Sequence, residues 1–103
     1  MRFMVKATIP LEAGNDLVRD PEMSSRMQAV MGDIKPEAAY FTAMGGDRGG
    51  FIVFDMQDAS DIPAAAEPFF LALGAKVELS PVMTAEDVAQ GLAKASAAMQ
   101  KYG

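Results

Sequence analysis

Fourteen Asp and Glu, nine Lys and Arg and two Tyr carry the acid–base chemistry of this chain, which contains neither Cys nor His. Without imidazole there is no Ser-His-Asp relay, no His ligand for zinc or haem, and no side chain that titrates near neutrality unless its surroundings shift it. Without thiols there is no disulfide, thiolate nucleophile or iron–sulfur ligand set. Any proton carrier must be a displaced carboxylate, a Lys or a Tyr. The carboxylates form no D-x-D-x-D-G run or paired motif of the calcium or magnesium kind, so neither a metal nor a cofactor is expected.

Four groups stand out by position. If the last strand pairs antiparallel with the first, Lys6 and Thr8 share a sheet face with Lys76, Glu78 and Ser80. Lys6 and Glu78 would then orient a ligand carboxylate or, if desolvated, supply a base with a shifted pKa; the plainer alternative is a cross-strand ion pair. Tyr40 and Thr42 share a face of a second strand, opposite Phe41 and Ala43, while Asp55 shares a face with Phe51 and Val53. Asp55 among aromatics suits a raised-pKa proton carrier, with Tyr40 donating to an enolate oxygen. The plainer alternative makes Asp55 a helix cap or ion-pair partner and Tyr40 an amphipathic core residue.

The segment GGDRGG has exposed amides and backbone freedom that suit anion binding, with Arg48 as a lid residue. It lacks the strand-to-helix setting and the Lys of a phosphate loop, so a flexible hairpin tip is the simpler expectation. The nine methionines divide similarly. Met23, Met27 and Met31 recur at helix-core spacing, whereas Met4, Met44 and Met56 fall on strands where they would line a cavity.

These groups need elements to position them. RFMVKATI alternates Phe3, Val5, Ala7 and Ile9 against Met4, Lys6 and Thr8, and Pro10 ends it, which predicts a strand. From Asn15 to about Ile34, apolar residues at helical spacing predict one helix, starting fully at Asp20. EAAYFTAM and FIVFDM read as a hairpin around GGDRGG. IPAAAEPFFLAL follows N-cap candidates Asp58, Ser60 and Asp61, and interior Pro68 predicts a short or kinked helix. Gly74 ends it, and AKVELSPV is a fourth strand. Thr84 opens T-A-E-D, a capping-box start, and Val88, Leu92, Ala95, Met99 and Tyr102 follow as a narrow apolar stripe.

At 103 residues the chain fits a single domain spanning 1–103. Its net charge of -5 and scattered basic residues argue against nucleic acid or membrane partners. Lys6 interrupts the apolar start of the chain and no apolar run reaches membrane-spanning length, so an uncleaved cytoplasmic protein is expected.

The order β-α-β-β-α-β predicts an α+β, ferredoxin-like fold: a four-stranded antiparallel sheet with its helices on one face, plus a C-terminal helix. Phe51, Ile52, Val53 and Phe54 are consecutive, so both faces of their strand need cover, and a second copy of the sheet provides it. On these grounds the sequence resembles the dimeric α+β barrel superfamily, whose members pair two such sheets face to face. FIVFDMQDASDI and KVELSPVM are similar to the muconolactone isomerase-like proteins. KPEAAYF and AEPFFLALGAKVELSPVM look more like a short bacterial family of this fold with no assigned function. The superfamily includes cofactor-free quinol monooxygenases, stress-responsive barrels and haem enzymes, the last using an axial His absent here.

The resulting expectation is a homodimer binding a small, largely apolar molecule in a barrel cavity, with isomerisation or cofactor-free oxygenation as the chemistry open to it. Asp55, Tyr40, Lys6 and Glu78 are the candidate catalytic groups, and Thr8, Thr42, Arg48, Met4 and Met44 the candidate ligand contacts. The alternative is a non-enzymatic interaction module that docks a partner through the C-terminal stripe.

Overall fold

A computed structural model describes all 103 residues. The elements run β1 (Arg2–Ile9), α1 (Leu11–Arg19), α2 (Met23–Ile34), β2 (Ala38–Met44), β3 (Asp47–Asp55), α3 (Ile62–Leu73), β4 (Lys76–Pro81), α4 (Ala85–Lys94) and α5 (Ser96–Tyr102). The strands form one antiparallel sheet in the order β2-β3-β1-β4, the ferredoxin-like arrangement.

Strand alternation sorts the sheet into two faces. Val5, Ala7, Ile52 and Phe54 point to the helices and are buried with Leu17, Val30, Phe69 and Leu73 as the core. Phe69 is almost wholly enclosed, and truncating such a side chain to Ala typically costs about 3–5 kcal/mol. Met23, Met27 and Met31 pack against this cluster as the helical spacing predicts. Met56, expected to line a cavity from a strand, instead lies just beyond β3 and is buried in the core.

The predicted long first helix is two helices. Pro21 cannot donate a backbone hydrogen bond and pushes Asp20 into extended backbone, ending α1. Asp20 Oδ1 then accepts from the Glu22 amide at 2.8 Å, closing the turn into α2. The chain also becomes helical earlier than expected, directly after Pro10, whose carbonyl accepts from the Gly14 amide at 2.8 Å. Lys35 ends α2 in the left-handed region at φ 52, a conformation costing a non-glycine residue about 1–2 kcal/mol.

The hairpin tip is also smaller than GGDRGG suggests. Gly45 and Gly46, at φ 58 and 86, make a two-residue turn between the paired residues Met44 and Asp47. Asp47, Arg48, Gly49 and Gly50 are therefore strand residues and not a flexible loop. In α3, Pro68 does not cut the helix short, which runs its full 12 residues to a left-handed Gly74. The Thr84 capping box forms as predicted, the Asp87 amide donating to Thr84 Oγ1 at 3.1 Å and the Thr84 amide to Asp87 Oδ2 at 3.0 Å.

Beyond each other, α4 and α5 make only glancing contacts, and neither contains a buried residue. The predicted single C-terminal helix is divided at Ala95 but continues in the same direction of chain hydrogen bonding, Met99 donating to the Ala95 carbonyl at 3.0 Å. The molecule extends 57 × 28 × 20 Å with a radius of gyration of 17.0 Å, where a compact chain of this length has about 13 Å. No helix is long and apolar enough to cross a membrane.

Candidate functional site

The sheet's bare face carries most of the chemistry-bearing residues, and the strand register arranges them in rows. Tyr40 pairs with Phe51, Phe51 with Lys6, and Lys6 with Glu78, so these four lie in one line across the sheet. The next rows are Thr42, Gly49, Thr8 and Lys76 on one side, and Ala38, Val53, Met4 and Ser80 on the other. Met44 ends β2 opposite Asp47. Lys6 Nζ stands 4.0 Å from Glu78 Oε2 with the side chains 42% and 75% exposed, and Tyr40 is 73% exposed. In the single chain these groups are solvated, so their attraction is weak.

Asp55 shares this face but not this row. It lies four residues beyond Phe51, about 13 Å along the strand, which keeps it away from Tyr40. Its side chain is 61% exposed and accepts from the Met1 ammonium at 2.9 Å, so the expected enclosure among aromatics is not what surrounds it. Nor does it cap the next helix. Asp58 caps the short 3-10 turn Ala59–Asp61 that leads into α3, accepting from the Ser60 amide at 2.9 Å, and this bond together with the Ser60 hydroxyl holds the Asp58 carboxyl below the usual carboxylate range.

A strongly apolar cavity lies on the other face, beneath the helices. It has a volume of about 500 Å³ and is walled by residues of β1, α1, α2, β2, β3 and α3, among them Ile9, Leu17, Met27, Phe41, Ile52 and Leu73. That size is within the range of small-molecule sites. Arg48 is its sole charged lining residue, and Thr42 also borders it. Of the nine residues singled out from the sequence, these two reach the cavity; Lys6, Glu78, Tyr40, Asp55, Thr8, Met4 and Met44 do not.

Alternation brings Arg48 here. It pairs with Ile9 at the end of β1 and shares the helix-bearing face of β3 with Gly50 and Ile52. Its Nη1 donates to Asn15 Oδ1 of α1 at 3.0 Å. A Cβ added to buried Gly14 would lie 2.8 Å from that Nη1, so the bare α1 backbone makes the guanidinium's resting place. Sequence reading gives Gly14 and Asn15 no role, because the helix is expected to start at Asn15 and to form fully only from Asp20. The signal available was Pro10 directly before Leu11, a proline at a helix start, with apolar Leu17 and Val18 two turns on.

A second depression, at the opposite end of β1, includes Arg2, Glu37, Asp55 and Asp87. Its charges already have partners. Arg2 Nε donates to both Glu37 oxygens at 2.9 Å, which raises the Arg2 pKa, and Asp87 serves the Thr84 cap. No three acidic side chains converge in a way that could hold a metal ion.

Fold and cavity together define a ferredoxin-like α+β domain with an apolar chamber between its sheet and helices. The chain belongs to a family described as a domain of unknown function, DUF3303, whose profile matches residues 1–96. No curated protein matches the chain.

Proposed function

We propose that the protein binds a small, largely apolar molecule in the chamber between sheet and helices, and that it does so as a homodimer. The chamber carries the first part: about 500 Å³ in volume, with ten hydrophobic residues among its 14 lining residues. Binding is the extent of the reading. Lys6 and Glu78, the nearest acid and base among the candidates, are 4.0 Å apart, beyond a proton-transfer hydrogen bond.

Three features support a pair of chains. Phe51, Val53 and Met4 lie half-buried on a sheet face that no helix covers. The α4–α5 arm stands off the body with Val88, Leu92, Met99 and Tyr102 exposed. The resemblance of FIVFDMQDASDI and KVELSPVM to the muconolactone isomerase-like barrels suits sheets packed face to face, with the row of Tyr40, Lys6 and Glu78 turned inward. The arm also favours a second reading, an interaction module in which its apolar side docks a different protein.

Native mass spectrometry of purified protein tests both parts. A dimer carrying a defined extra mass is the expected result. A monomer at micromolar concentration overturns the pairing of sheets. Failure to retain or take up any of a panel of small apolar compounds overturns the chamber as a binding site.

A further inference from the structure

Resting on that reading of the chamber, we infer that its ligand carries a carboxylate and that Arg48 receives it. An apolar chamber with a single cation at its lining discriminates by charge as well as by size. Arg48 forms no ion pair with any carboxylate of the chain, although the chain holds 14 of them. Asp47, its neighbour in sequence, falls on the opposite face of β3 by alternation. Of the five guanidinium N–H donors, one is used by Asn15 Oδ1 and the other four make no hydrogen bond within the protein.

A half-buried guanidinium with four free donors suits two parallel bonds to a carboxylate, the geometry in which Arg exceeds Lys. Asn15 and Gly14 fix where the planar fork lies, so less order is lost when the ligand arrives. The apolar remainder of the ligand then occupies the space between Phe41, Met27 and Leu73. The class is a small amphiphilic monocarboxylate, an alkyl or aryl acid, and not a polyanion, since no second cation lines the chamber.

Isothermal titration of the intact protein with decanoate and with decan-1-ol, which share the chain and differ in the head, decides the matter. Decanoate is expected to bind about tenfold tighter or more, the worth of one charge-assisted hydrogen-bonded pair. Arg48→Gln should bring the two to within about twofold while leaving decan-1-ol binding in place; Arg48→Lys, which keeps the charge but loses the fork, should fall between. Equal affinity of the unmodified protein for both probes overturns the carboxylate assignment and leaves the apolar chamber standing. A preference that survives in Arg48→Gln overturns the role of Arg48. Binding of neither probe overturns this inference and the chamber reading together.

Discussion

Arg48 of β3 rests against Gly14 of α1 so closely that a methyl group on Gly14 would come within 2.8 Å of its Nη1. The obstacle is the far end of a flexible side chain, so Gly14→Ala should be accommodated by moving the guanidinium. Removing a glycine from a helix stabilises by about 0.5–1 kcal/mol, so the expected variant melts at or above the parent temperature. Its preference for decanoate over decan-1-ol should nevertheless shrink, because the fork no longer lies where Asn15 holds it. Paired thermal melts and titrations check the opposite directions of the two effects.

Glu78→Gln separates the single chain from the pair. In one chain the Lys6–Glu78 contact is solvated and long, so the variant's protomer stability should stay within about 0.5 kcal/mol of the parent. Enclosed between two sheets, the same substitution strands the Lys6 charge, and breaking such a pair costs about 3–5 kcal/mol. Sedimentation velocity on dilution should therefore show the variant dissociating at far higher concentration than the parent.

The arm should loosen in acid. The Thr84 backbone N–H and hydroxyl hold the Asp87 carboxyl below the usual carboxylate range. A carboxylate whose folded pKa is depressed contributes stability above its unfolded pKa, about 3.9, and loses that contribution as pH falls through the lower folded value. Helical signal in circular dichroism from α4 should thus drop below about pH 4, and Asp87→Asn should remove that step of the titration while lowering helicity at neutral pH.

Lys35→Gly should stabilise the protein. The left-handed backbone at φ 52 costs Lys about 1–2 kcal/mol, and the extra freedom glycine gains in the unfolded chain returns about half of that. A net gain of about 0.5–1 kcal/mol in urea unfolding is expected, with an unchanged slope.

Deleting residues 84–103 removes α4 and α5, which contribute nothing to the buried core. The remaining body should keep the melting temperature of the isolated protomer within a few degrees. Self-association should be lost or strongly weakened if the arm embraces a second copy, and size-exclusion chromatography with light scattering reads this directly. An unchanged dimer would instead assign the arm to a different partner.

The strands were readable because their signal is local. Alternation in RFMVKATI and AKVELSPV fixed which residues share a face, and with that the Lys6–Glu78 pairing. The Thr84 capping box lies within four residues and was equally plain. The chamber was not, because its walls come from six elements and depend on where helices begin. Reading one helix from Asn15 through Pro21 missed that α1 is a separate helix starting at Leu11, and with it the place of Gly14 beside Arg48. Counting six residues into the hairpin tip moved Arg48 from a strand onto a loop, although two glycines with positive φ suffice for the turn. Asp55 looked enclosed because Phe51 and Val53 share its face, yet it ends the strand in solvent.

β1 opens the chain and sits in the middle of the sheet, with Arg2 opposite Asp55 and Phe3 opposite Pro81. Its first partner, β3, follows it in the chain only after α1, α2 and β2, and its second, β4, only after α3 as well. The β2–β3 hairpin closes through a two-residue turn, a local pairing of the kind that forms on a microsecond scale, whereas both partners of β1 are distant in sequence. Until β4 has left the ribosome, one edge of β1 presents unpaired amides and carbonyls beside the apolar Phe3, Val5 and Ile9, the interval in which this chain is most exposed to aggregation.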